Sequence, residues 1–169
     1  MKLSDFFQKD EVVKNGTFNT LGHAESCIEH TLAYGDTVYY VDMANRNHNI
    51  SCLITNKELT DRVEPNKGLV VAKMPRNAFY YVHKQLIDRQ LIVSPIKYGR
   101  GKNCTIHPTA VISEKTRIGE NVTISENVVV KDEVEIGDNT IIDAGAVIGS
   151  EGLLYITENE KPCFVRHAG

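Results

Sequence analysis

Aliphatic residues recur at every sixth position along the second half of the chain, at Ile106, Ile112, Ile118, Ile124, Val130, Ile136, Ile142 and Ile148. Two residues before each stands a small or β-branched one: Cys104, Ala110, Thr116, Val122, Val128, Val134, Thr140 or Ala146. A period of six is neither the 3.6 of a helix nor the two of a strand. Positions i and i−2 of a strand share a face, so each hexad predicts one short strand with both residues pointing into a core. The remaining residues turn a corner, and Gly119-Glu120-Asn121, Gly137-Asp138-Asn139 and Asp143-Ala144-Gly145 are suited to positive φ or to local hydrogen bonds. Strands joined by corners wind into a solenoid, and three faces per coil require three hexads. A β-sandwich does not keep one period through so many units. Each buried Ile or Val contributes about 1.5–3 kcal/mol of transfer free energy, which offsets part of the entropy lost on ordering the short strands.

Residues 1–92 lack the hexad. "LSDFFQK" predicts a short first helix with Ser4 as its cap. "DTVYYV" (36–41), "ISCLITN" (50–56) and "GLVVAK" (68–73) predict three strands of a small sheet. "PRNAFYYVHKQLI" (75–87) opens on Pro75 and sets Phe79, Val82, Leu86 and Ile87 at helical spacing, so it predicts a helix packed on that sheet. The Pro95, Gly99 and Gly101 of "VSPIKYGRGKNC" make 93–103 a linker, with the solenoid running from 104 to 169. The register drops after Ile148, from about 150, where "ITENEKPCFV" predicts a two-stranded excursion. A solenoid ending at Gly169 leaves its last coil uncovered, an arrangement natural repeats avoid. A truncated chain is therefore expected.

The net charge of −3, with signs interspersed, gives no basic stripe for nucleic acid. The start, "MKLSDFFQKDEVV", holds no apolar run of signal or membrane-spanning length, so no membrane span and a cytoplasmic location are expected. Cys27, Cys52, Cys104 and Cys163 are scattered without a CxxC pair or a zinc-like histidine spacing. Free thiols in a reducing compartment and no metal site are the expectation.

The hexads, of which "VEIGDNTIIDAGAVIG" (134–149) is typical, resemble those of the hexapeptide-repeat acyltransferases. That resemblance implies an α/β head domain followed by a left-handed parallel β-helix. The order of parts is similar to that of the UDP-3-O-acylglucosamine N-acyltransferases of lipid A biosynthesis: an α/β head, "IHPTAVI" at 106–112, and a break at "VIGSEGLLY" (147–155). Where that family has Gly-Ser-Asp-Gly-Phe-Gly-Tyr, this chain has Gly149-Ser150-Glu151-Gly152-Leu153-Leu154-Tyr155. In the head, "TVYYVDMANRN" (37–47) is similar to the segment that cradles the uracil of a nucleotide sugar, with Tyr40 matching the family's phenylalanine. The tyrosine that follows in the family would fall near Arg46 here and is absent. The resemblance thus implies substrate contacts at Tyr39, Tyr40, Asn45 and Tyr155.

The chemistry implied is transfer of an acyl group from an acyl carrier protein or coenzyme A thioester, a co-substrate rather than a bound cofactor, to a sugar amine or hydroxyl. A histidine would take the proton of the attacking group, and a backbone N–H would hold the oxyanion. The family's catalytic histidine matches nothing in this chain. His167, on the resumed coil, is the candidate that remains, while His107 stands at a corner where a structural role is expected. Glu135, Asp138 and Asp143 are expected to be solvated, and one histidine in the regular coils is too few for a metal-dependent solenoid enzyme. Scattered Thr109, Thr116, Thr123 and Thr140 do not build an ice-binding face. The implied partners are a nucleotide sugar, the thioester carrier and two further copies in a homotrimer. The alternative is a non-catalytic nucleotide-sugar-binding and trimerisation module, or an inactive fragment.

Overall fold

The computed structural model describes residues 1–91, 96–152, 154–158 and 161–165. The chain forms two compact units, one of Met1–Arg89 with Tyr155–Val165 and one built on Gln90–Leu154.

The first unit is a five-stranded sheet with a helix on each face. Its strands are β1 (Val12–Lys14), β2 (Thr20–Leu21), β3 (Thr31–Gly35), β4 (Ile50–Thr55) and β5 (Gly68–Val71), in the order β1-β5-β4-β3-β2. Only β1 runs antiparallel to its neighbour. Central β4 reads "ISCLIT", nearly all buried, as a parallel strand covered on both faces must be. Its Cys52 and Ile54 join Leu32, Val70 and the Phe79, Val82 and Leu86 of helix α2 (Pro75–Asp88). Its Ile50 and Leu53 join Ala33 and the Val41 and Ala44 of helix α1 (Val38–Arg46) on the other face.

Residues 36–41 are therefore not a strand. The strand lies one step upstream, in β3, and 38–46 are helical although Val38, Tyr39, Tyr40 and Val41 favour extended backbone. The Thr37 hydroxyl accepts the Tyr40 N–H at 3.5 Å as an N-cap. Val41 and Ala44, three apart, then bury one helix face. The first helix is likewise only a 3-10 turn, Leu3–Asp5, and Asp5 rather than Ser4 caps it, by accepting the Lys2 N–H at 2.8 Å.

Lys67 is buried to 3% exposure, and its ammonium donates to the carbonyls of Asn47 at 3.1 Å and Ile50 at 2.7 Å. It thereby satisfies backbone acceptors between the end of α1 and the start of β4.

Among the described residues of the second unit, nine short strands stack in three parallel sheets. They are β6 (Gly99–Arg100), β7 (Thr105–Ile106), β8 (Val111–Ile112), β9 (Thr116–Ile118), β10 (Thr123–Ile124), β11 (Val129–Val130), β12 (Val134–Ile136), β13 (Ile141–Ile142) and β14 (Val147–Ile148). The sheets are β12-β9-β6, β13-β10-β7 and β14-β11-β8. Ile106 pairs with Ile124 and Ile124 with Ile142, so each coil is three hexads. The inward residues form one core of Ile118, Val122, Ile124, Val128, Val130, Ile136 and Ile142, with the other hexad aliphatics packed around it. Asn103, Asn121 and Asn139 all take φ near +57° at one corner, where the Asn103 amide donates to the Asn121 carboxamide oxygen and the Asn121 amide to that of Asn139, each at 3.2 Å. On another corner Asp132 accepts from Ser113 and pairs with Lys115, which together hold its carboxyl below the usual range.

The first coil begins inside the expected linker, because β6 already pairs with β9 and Arg100 lies opposite Ile118. An arginine stands where the hexad would place an aliphatic residue, which hides the register. Its guanidinium donates to the Cys104 carbonyl at 3.1 Å.

After β14 the chain forms the hairpin of β15 (Tyr155–Glu158) and β16 (Lys161–Phe164), which is counted with the first unit rather than with the coils. Buried Ile156 and the Asn77 side-chain N–H, donated to the Thr157 carbonyl at 2.7 Å, dock it on α2.

Two outcomes are expected. Ile124→Ala should lower stability by about 2–5 kcal/mol in urea unfolding, because its neighbours are locked by register and collapse little. Burial pushes the Lys67 ammonium below its ordinary value of 10.5, against the pull of Glu64. The folded state therefore binds this proton less tightly, and the stability passing through Lys67 rises as pH climbs towards the ordinary value. Lys67→Met should cost about 1–3 kcal/mol by orphaning two carbonyls, and its deficit against the parent in urea should widen at higher alkaline pH.

Candidate functional site

β3, β4 and β5 run parallel, so the segments following β3 and β5 leave the same edge of the sheet. In open α/β sheets this carboxyl edge is where ligands gather. β3 delivers Tyr34 and Asp36 to it, the first turn of α1 delivers Tyr39 and Tyr40, and the opening of α2 delivers Arg76 and Tyr80.

Gly35 decides how closely α1 approaches. A Cβ there would stand 3.0 Å from Val41 Cγ2, 3.1 Å from the Val41 nitrogen and 3.3 Å from the Tyr40 carbonyl carbon. Without one, the first turn lies directly against the end of β3. Tyr39 and Tyr40 meet edge to face at 5.3 Å and stay largely exposed. Opposite, the Tyr34 ring packs on Phe79 at 5.1 Å, Phe79 meets Tyr80 at 5.3 Å, and the Arg76 guanidinium lies 5.9 Å from the Tyr80 ring centre. Burial, then the neighbouring Tyr80, push the Tyr34 hydroxyl above its ordinary value, with Arg76 pulling the other way. Asp36 and Tyr40 add smaller upward pushes, so all four groups lie within electrostatic reach of one hydroxyl. Among the described residues, none of the four tyrosine hydroxyls, the Asp36 carboxylate or the Arg76 guanidinium takes a hydrogen-bond or ion-pair partner.

The residues named from sequence are not all here. Tyr39 and Tyr40 are. Asn45 lies later on α1 with its amide spent on the chain, donating to the Arg62 carbonyl at 2.7 Å and accepting the Glu64 N–H at 3.1 Å. Tyr155 opens the hairpin docked on α2, on the sheet face opposite α1, and its ring meets Phe164 at 5.6 Å. His167 lies outside the described residues. Sequence reading missed Tyr34, Asp36, Arg76 and Tyr80, and the one signal for them was the end of β3, hidden by the misplaced strand.

Two other features lie away from this edge. A cleft of about 330 Å³ lies between Phe7, Gln8 and Glu11, the Tyr81 flank of α2, and Ile156 of the hairpin. In the coils, His107 Nδ1 accepts the Thr109 N–H at 3.3 Å, so the neutral ring carries its proton on Nε2, facing Glu126 at 3.8 Å. The ring is thus engaged by its own corner. Among the described residues no group of His, Cys, Asp and Glu could hold a metal ion, and no helix is long and apolar enough to cross a membrane.

The family model for "Bacterial transferase hexapeptide (six repeats)" matches residues 101–132 and 115–150. These are the coils themselves, so this part of the chain is similar to the repeat stem of bacterial transferases. No curated protein matches the chain.

Gly35→Val should destabilise the first unit by about 1–3 kcal/mol through overpacking against Val41. The loss should appear in thermal unfolding, with Gly35→Ala milder.

Proposed function

We propose that the chain belongs to an acyltransferase of the hexapeptide-repeat type, its coils a left-handed parallel β-helix and its head an α/β domain that binds a nucleotide-activated sugar. The acyl group comes from a thioester of acyl carrier protein or coenzyme A and goes to an amine or hydroxyl of that sugar, as in lipid A biosynthesis, in the cytoplasm. The observation carrying this reading is the match of the transferase repeat model to residues 101–150, where the coils keep an in-register core. The unpartnered tyrosines at the carboxyl edge of the head support a ring-bearing ligand there.

A homotrimer is part of the reading. Val111, Val129 and Val147 stack directly above one another on the outside of one sheet, and parallel sheets are normally covered on both faces. The other two outer faces carry Thr105, Thr123 and Ile141, and the paired Arg117 and Glu135.

A second reading, a sugar-nucleotide-binding and trimerisation module, is favoured by His107. It is the histidine of the described coils, and its Nδ1 is engaged by the Thr109 hydroxyl at 2.9 Å and N–H at 3.3 Å.

The deciding experiment is acyl transfer by the purified chain from acyl carrier protein and coenzyme A thioesters to UDP-linked amino sugars, with thermal shifts on the same ligands. Transfer supports the enzyme. A thermal shift with a UDP-sugar without transfer supports the module, and a shift with coenzyme A alone points to a different acyl acceptor. Val129→Arg should reduce a trimer to smaller species in light scattering, while Thr123→Arg on the neighbouring face should not.

A further inference from the structure

Arg76 is exposed on the first turn of α2, and the Tyr80 ring below it helps to fix its guanidinium. An arginine resting on an aromatic face loses less freedom on binding, and its planar fork suits two oxygens of one anion. No carboxylate of the described residues takes it. The hydroxyls of Tyr80 and Tyr34, on the residues bracketing Phe79 at 5.3 and 5.1 Å, lack acceptors. The Tyr34 hydroxyl, whose ordinary value of 10.0 already keeps it protonated at neutral pH and which burial raises further, is a donor there. One cation and two phenols lie on this flank, with the Asp36 carboxylate within electrostatic reach of Tyr34. The α1 flank differs in kind: Tyr39 and Tyr40 offer exposed ring faces and no charge.

We propose that the carboxyl edge of the head sheet is a two-part binding site for a ring-bearing phosphate compound. Arg76, with the hydroxyls of Tyr34 and Tyr80, takes the phosphate oxygens, and Tyr39 and Tyr40 take the ring. The ring half rests on the nucleotide-sugar reading given above, while the anion half stands on Arg76 and its neighbours alone. Asp36, at the end of β3 between the two halves, accepts hydroxyl or N–H groups of the part that joins them. Arg76 is a binding residue that the aromatic segment 37–47 does not disclose, since it lies on the other helix.

The test is calorimetric titration of the intact chain with pyrophosphate, with uridine and with UDP-N-acetylglucosamine, comparing the parent with Arg76→Ala, Arg76→Lys and Tyr40→Ala. Arg76 is exposed and outside the core, so its variants should keep the parent's thermal midpoint. Arg76→Ala should weaken pyrophosphate and the UDP-sugar by about ten- to a hundredfold and leave uridine unchanged. Arg76→Lys should recover part of the loss, and Tyr40→Ala should weaken uridine and the UDP-sugar but not pyrophosphate. If the UDP-sugar binds and Arg76→Ala binds it equally well, the anion site is overturned and the nucleotide-sugar reading stands. If pyrophosphate binds through Arg76 and neither uridine nor the UDP-sugar binds better, the anion site stands and that reading falls. Silence with all three overturns both.

Discussion

In-register parallel pairing between one coil and the next is the constraint on which the repeat unit depends. It brings residues 18 apart directly over one another, as Asn103, Asn121 and Asn139 show. Every position then becomes a column, and each column must satisfy one requirement repeatedly. Inward columns are aliphatic or small, and a polar group among them must find a backbone acceptor, as buried Thr116 does by donating to the Lys131 carbonyl at 3.1 Å. Corner columns must tolerate positive φ, which Asn does at modest cost, and its carboxamide adds a ladder of hydrogen bonds. At β6, the first described strand of the stack, Arg100 takes the register position of an inward aliphatic residue and is exposed.

The head obeys a different constraint. Its central strands are covered on both faces, so each must supply apolar side chains in both directions, and the helices must approach closely. Gly35 and the small Ala33 and Ala44 allow α1 to lie against β3 and β4. Lys67 shows what such close packing demands elsewhere: backbone carbonyls enclosed between α1 and β4 receive a buried ammonium, at the expense of its proton affinity. At the carboxyl edge the chain turns from strand to helix twice, and its side chains reach past the sheet.

The same pair of crossings explains why the edge has two chemical halves. The turn after β3 contributes rings from α1, and the turn after β5 contributes a guanidinium and a phenol from α2. The two sets are about forty residues apart in the chain and meet because β4 lies between β3 and β5 in a parallel sheet. The hairpin at 155–165 reaches α2 from still further along the chain, through Ile156 and the Thr157 carbonyl.

The eight aliphatic hexad positions, the corners at Asn121, Asn139 and Gly145, the helix of 75–88 and the strands at 50–55 and 68–71 were legible in the sequence alone. Each expresses a local period or a single-residue backbone preference, and such signals do not depend on distant partners. The strand expected at 36–41 was misread because β-branched and aromatic residues report that a position suits an extended chain, not whether the extended place is already filled. Leu32, Ala33 and Tyr34 filled it, and Thr37 then capped a helix. Of the residues gathered at the candidate edge, the sequence disclosed Tyr39 and Tyr40, which are adjacent in the chain. Arg76, Tyr80, Tyr34 and Asp36 became a group only through the tertiary structure, as did the spending of Asn45 on Arg62 and Glu64. Parallel pairing joins segments with no local pattern in common, so their proximity is written in no single stretch of sequence.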